Sequence, residues 1–198
     1  MLVLCRMVVR RTPLSLSLPG VLLALVLSGC AKPAVPQGLR HLAYQGWTNE
    51  HHITIDASPK QVFSILTDFD RFPGLVPSDR IRVSKETAGP YGIGTVIRTQ
   101  TGYKIKVSWT TKVVDLEDCR RIVLQFQEGM FRGGYEIWDL QPDGERTRVS
   151  HTILFNLSNF VYRVLWVVKD VESKHNILVE ATLQNLKRAS EADTDRHG

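Results

Sequence analysis

Between Ile81 and Leu157 the chain is a succession of alternating apolar and polar runs, and every connection is too short for a crossover helix. Neighbouring runs can therefore pair only antiparallel. Ile81–Thr87 is ended by Gly89-Pro90-Tyr91-Gly92-Ile93-Gly94, and Thr95–Thr101 turns at Gly102. Tyr103–Leu116 carries Ile105, Val107, Trp109, Thr111 and Val113 on one face, and Arg121–Glu128 groups Ile122, Leu124 and Phe126. Gly134–Gln141 meets Arg146–Leu157 across Pro142-Asp143-Gly144, a turn signal. One further strand pattern precedes these, His51–Ala57, with Ile53, Ile55 and Ala57 on one face. Between them Ser58-Pro59 supplies an N-cap and a first-turn proline. Val62, Phe63, Ile65, Leu66 and Phe69 have helical spacing, and Pro73, Gly74 and Pro77 stop that helix.

The chain closes on a helical pattern from about Asn159 to Ser190, with Val161, Leu165, Val168, Val171, His175, Leu178, Thr182 and Leu186 three and four apart. At 1.5 Å per residue it reaches about 45 Å, enough to cross a whole sheet. Val168, Val171 and Leu178 are expected to pack against that sheet. Residues 191–198 are polar and are expected to form a disordered tail.

The first 46 residues follow different rules. Arg6, Arg10 and Arg11 precede an apolar stretch, and the uncharged run Thr12–Gly29 is 18 residues long. Pro13, Pro19 and Gly20 weaken it as a membrane helix. Leu27-Ser28-Gly29-Cys30 resembles the lipobox of bacterial lipoproteins, with small residues before the cysteine and the apolar run ending there. The resemblance implies a signal peptide over 1–29 and acylation of Cys30, which would anchor the mature chain stably in a membrane. Residues 30–46 contain Pro33, Pro36 and Gly38 and no period, as a tether does. Ala31-Lys32 lacks the aspartate that signals inner-membrane retention in many such lipoproteins. In a source with two membranes, the outer membrane, facing the periplasm, is the implied location.

Composition matters mainly for what it excludes. Hydrophobic residues make up 43% and charged ones 23%, ordinary globular usage. The net charge of +5 shrinks once the signal is removed: 25 basic residues less Arg6, Arg10 and Arg11 leave 22, against 20 acidic, net +2. That is no footprint for a polyanion, so nucleic acid is excluded as a partner. Cys119 is the one cysteine left for the folded part, in the polar turn Glu117-Asp118-Cys119-Arg120, where no nucleophile is expected. No CxxC or HExxH motif occurs, so neither a metal nor a cofactor is indicated.

Strand, helix, antiparallel strands and one long helix is the order of a helix-grip fold. The run Ala57-Ser58-Pro59-Lys60-Gln61-Val62-Phe63-Ser64-Ile65-Leu66-Thr67-Asp68-Phe69-Asp70-Arg71-Phe72-Pro73 resembles the opening of START-related (SRPBCC superfamily) proteins, particularly the polyketide cyclase/dehydrase and coenzyme-Q-binding groups. Gly92-Ile93-Gly94-Thr95, Ile137-Trp138-Asp139-Leu140 and Thr147-Arg148-Val149 extend the resemblance. It implies an α+β domain over 47–190, in which a curved antiparallel sheet of six to seven strands wraps around the C-terminal helix and encloses an apolar cavity. One such fold hosts many activities.

Candidate residues for that cavity follow from strand and helix faces. Val107, Trp109, Phe126, Trp138 and Phe155 offer apolar surface, as does Val171 on the helix. His151 shares a face with Val149, Ile153 and Phe155, either as a ligand's polar partner or as a satisfied wall residue. His175 sits on the apolar stripe of the helix. Glu136 shares a face with Trp138 and Leu140; inward it is a buried carboxylate and a site candidate, outward a solvated charge. His51 and His52 read as strand-edge residues, and Asp68 and Asp70 as caps of the first helix and its turn. Gly89–Gly94 lacks the helix and lysine of a phosphate loop and reads as a hairpin at the cavity mouth. Val164-Leu165-Trp166-Val167-Val168 is apolar on all sides, so a covering loop, a membrane, a lipid or a protein partner must meet that end.

Three functions fit: a lipid-anchored binding or carrier protein for a hydrophobic small molecule such as a lipid, quinone or polyketide-like compound; a cyclase- or hydratase-like enzyme using cavity His and Glu; or an envelope assembly lipoprotein without ligand.

Overall fold

The computed structural model describes residues 47–77, 79, 81–101, 107–156 and 171–197. The signal segment, Cys30, the tether, Ile105 and the apolar run Val164–Val168 lie outside the described residues. Seven strands form one antiparallel sheet: β1 Trp47–Ile55, β2 Ile81–Lys85, β3 Val96–Thr101, β4 Ser108–Glu117, β5 Arg121–Phe126, β6 Tyr135–Asp143 and β7 Arg146–Phe155. Their order is β1-β7-β6-β5-β4-β3-β2. The chain thus meanders from β2 to β7 and closes by pairing β7 with β1. Among the described residues two α-helices, α1 Pro59–Thr67 and α2 Val171–His197, join the sheet in an α+β helix-grip fold. Among the described residues no helix is long and apolar enough to cross a membrane.

The local signals work as expected. Ser58 caps α1 by accepting from the Gln61 backbone N–H, and Pro59 occupies the first turn. Val62, Phe63, Ile65 and Leu66 are its buried face. Asp68 ends the helix, and its Oδ1 accepts from the Asp70 N–H at 2.9 Å, the capping contact expected of it. A 3₁₀ turn, Phe72–Gly74, follows. Asp143 pairs with Arg146 across Gly144, whose φ of +64° suits glycine.

Strict alternation fails once, in β4. The register between β4 and β5 shifts between Val113 and Asp115, so a bulge lets Leu116 as well as Val113 pack into the main core. Simple period-two counting sends these two residues to opposite faces.

α2 does not end at Ser190. It runs to His197, and the expected tail is helical because its first residues are tied down. Glu191 Oε1 accepts from the Asp56 N–H at 3.0 Å, and Asp193 pairs with Arg71 at 2.7 Å. Gln61 Nε2 donates to Ser190 O and Asn185 Nδ2 to Leu75 O, at 2.9 and 2.7 Å. The packed stripe of α2 is Val179, Leu183 and Leu186, joined to Ile55, Val62, Ile65 and Val149 in one cluster. Val171 and Leu178 are only half-buried and face a cavity instead, a correction to the expected packing; Val168 lies outside the described residues.

This division is measurable. Leu186→Ala, at a site with no exposure, should cost about 2–5 kcal/mol in urea unfolding, whereas Leu178→Ala, opening onto existing space, should cost under about 1 kcal/mol.

Candidate functional site

A cavity of about 650 Å³ lies between the concave face of the sheet and the N-terminal half of α2. That is within the range of small-molecule sites, roughly 300–1,000 Å³. Ile122, Leu124 and Phe126 of β5 form its floor beside Trp109 and Thr111 of β4. The segment after α1 supplies one side. Phe69 stacks on Phe72 and on Tyr91 at 5.4 and 5.8 Å, and Phe72 meets Trp138 edge-on at 6.4 Å. Tyr91 brings the Gly89–Gly94 hairpin to the cavity, as expected of that loop. Burial, with the Glu136 charge second, pushes the Tyr91 hydroxyl above its ordinary pKa, so it stays protonated.

Into this apolar wall β6 and β7 set a polar centre. Glu136 faces inward, which decides between its two orientations. Its Oε1 accepts from Trp138 Nε1 and lies 3.1 Å from His151 Nε2. His151 is the cross-strand partner of both Trp138 and His51, and is 3% exposed. Trp138 lies against it, ring centroids 4.4 Å apart. His175 approaches from α2, its ring 6.4 Å from those of His151 and His51. Among the described residues nothing bonds His151 Nδ1 or His175 Nε2, and both atoms are buried. No group of three or more His, Cys, Asp or Glu among the described residues is arranged to hold a metal.

Residues 47–191 match the model of the family described as polyketide cyclase / dehydrase and lipid transport. The chain belongs to that family. Its structure is similar to TTHA0849 from Thermus thermophilus (TM-score 0.62, 22% identity, covering 74% of this chain and 99% of that one). It is similar also to the Aha1 protein from Colwellia psychrerythraea, solved as a dimer (TM-score 0.54, 20% identity, 73% and 96%). A third likeness is to the di-domain ARO/CYC StfQ of the steffimycin biosynthetic pathway (TM-score 0.57, 16% identity), covering 75% of this chain and 51% of that one. At these identities the likeness is one of fold. No curated protein sequence matches the chain significantly.

Within this polyketide cyclase/dehydrase-family domain, Val107, Trp109, Phe126, Glu136, Trp138, His151, Val171 and His175 all border the cavity. Val107 is at its rim, 37% exposed. Phe155 is the exception. It packs edge-on against Phe131 at 5.3 Å, and Phe131 takes the wall position. Phe131 gets there because the β5–β6 loop folds back at Gly134, where a Cβ would come within 2.3 Å of Leu154 O. The Gly134 N–H also donates to Phe131 O. No period marks a loop phenylalanine as a wall residue.

His51 is the second correction. Its side chain is 10% exposed and its Nε2 lies 3.0 Å from Asn49 Oδ1 and 3.2 Å from Asn176 Oδ1, so it bridges β1 to α2. The signal was present, since His51 stands two residues before Ile53 on the inward face. His52 faces the other way, with Nδ1 2.8 Å from Ser150 Oγ. Cys119 holds a tight turn at φ +56°, and burial and then the Asp118 charge push its thiol up, away from the nucleophilic thiolate.

Burial depresses the His175 imidazole to about 3, with the charges of His151 and His51 adding to the effect. His51 is lowered too, first by burial and then by His151. Both folded values lie below the unfolded one, so the unfolded chain binds more protons below the ordinary value of 6.5. Stability should be complete above that pH and fall as pH drops toward 3, by up to about 1.4 kcal/mol per pH unit for each proton. Replacing His175 with Phe should flatten the slope in urea titrations between those limits; an unchanged slope contradicts the buried neutral imidazole.

Proposed function

We propose that this chain is a lipid-anchored binding or carrier protein for a hydrophobic small molecule, of a lipid, quinone or polyketide-like kind, held between the sheet and α2. The single observation that carries the reading is an open apolar cavity of about 650 Å³ with a few convergent polar groups on its wall. The family's fold fits hydrophobic-ligand binding or cyclase activity. The lipobox-like Leu27-Ser28-Gly29-Cys30 supports an anchor in the cell envelope, at the outer membrane facing the periplasm, where apolar cargo is at hand.

The Glu136–His151 pair favours a second reading, a cyclase- or hydratase-like enzyme, because a carboxylate orienting an imidazole is what a general base needs. Turnover lost in His151→Ala with binding retained would establish it. An assembly role without ligand fits an open cavity less well.

Ligand binding should raise the melting temperature with concentration, by the equivalent of about 2.7 kcal/mol at a hundredfold excess over Kd. It should also change the fluorescence of Trp109 and Trp138, both on the wall. Val83→Trp, which fills the cavity from β2, should weaken both signals and leave the circular dichroism unchanged. A panel of lipids, quinones and polyketide-like compounds that moves neither signal overturns the reading.

Cys30→Ser should shift the protein from the membrane to the soluble fraction or leave it unprocessed. A cleaved Cys30→Ser protein that still sediments with membranes contradicts the anchor.

A further inference from the structure

The two unpartnered imidazole nitrogens on the cavity wall restrict the chemistry of what fills it. We propose, building on the binding reading above, that the ligand is an apolar molecule with one uncharged hydroxyl head, an alcohol or phenol, whose O–H donates to His151 Nδ1 beside His175 Nε2. In the neutral imidazole, the Glu136 carboxylate at 3.1 Å keeps the His151 proton on Nε2. That leaves Nδ1 as a lone-pair acceptor, buried and without a partner. A buried acceptor needs a donor, and hydrocarbon, ether, ester and quinone groups supply none. A hydroxyl is also an acceptor, so it can meet the second orphan, His175 Nε2, when that nitrogen carries its proton.

Charge narrows the head further. Burial holds His51 and His175 neutral, and the Glu136 carboxyl group lies 3.1 Å from His151 Nε2. Tyr91, which feels the Glu136 charge, keeps its proton. An ionised ligand carboxylate placed at His151 Nδ1 would face Glu136 across a low-dielectric space and would find no proton on Nδ1. Among the described residues lining the cavity the lysine is Lys174, which is exposed, so an anionic head drawn to it would sit nearer the solvent than one at His151.

Three probes with one body and different heads separate these cases: dodecylphenol, its methyl ether, and dodecylbenzoate, titrated into the folded domain by tryptophan fluorescence and calorimetry. The phenol should bind about tenfold tighter than the ether, the cost of leaving one buried acceptor unmet, and tighter than the benzoate. In His151→Leu the phenol and ether should bind alike, with the ether no weaker than before. His175→Leu serves as a second variant, and should narrow the gap without removing it. Equal binding of all three overturns the hydroxyl head but leaves the carrier reading standing. Tightest binding by the benzoate, lost in Lys174→Ala, overturns it in favour of an anion site. Binding by none of the three overturns the hydroxyl head, and the carrier reading falls with it when the wider panel also moves neither signal.

Discussion

The hold of the C-terminal half of α2 on the rest of the domain is both apolar and polar, and the site exists because the apolar packing stops halfway along the helix. Val179, Leu183 and Leu186 interlock with Ile55, Val62, Ile65 and Val149. Around them, side chains satisfy backbone carbonyls that the packing removes from water: Asn185 bonds Leu75 O, Gln61 bonds Ser190 O, and Lys187 bonds Thr54 O. Toward the N-terminal side the polar contacts continue only along the β1 edge, where, among the described residues, Asn176 Oδ1 accepts from Asn49 Nδ2 at 3.0 Å and lies 3.2 Å from His51 Nε2. Val171, His175 and Leu178 face open space, and the curved sheet, pinned at one end, cannot collapse onto them. The cavity is thus a geometric consequence of a helix gripped at one end by a curled sheet.

An apolar cavity tolerates polar groups when they satisfy one another. Glu136 is 21% exposed and accepts from Trp138 and His151 through the same oxygen, while Trp138 covers the imidazole. The three residues come from adjacent strands in one register, so their geometry is set by the β6–β7 ladder rather than by flexible loops. His51 and His175 close the group from β1 and α2. Their burial keeps them neutral, which is cheaper than burying charge and leaves the centre with the character of a hydrogen-bonding site in an otherwise apolar wall. Family membership through residues 47–191 is consistent with this arrangement, and the similar structures share the fold.

Much of this was determined by the sequence alone. Short connections between alternating runs dictate antiparallel pairing, Ser58-Pro59 starts α1, Pro142-Asp143-Gly144 makes the β6–β7 hairpin, and period two groups Ile122, Leu124 and Phe126 on the cavity floor. These are local rules, because a strand's period and a helix's cap depend on residues a few positions apart. Tertiary structure decided the rest. Whether Glu136 points to solvent or to His151 depends on which face the sheet curves around, a property of seven paired strands together. The bulge after Val113, the fold-back at Gly134 that replaces Phe155 with Phe131, and the helical course of residues 191–197 each rest on a neighbour distant in sequence. His51 is the plainest case. Its period placed it on the inward face, but its role comes from His151 across the ladder and Asn176 on α2, 100 and 125 residues away, and no local pattern encodes contacts of that span.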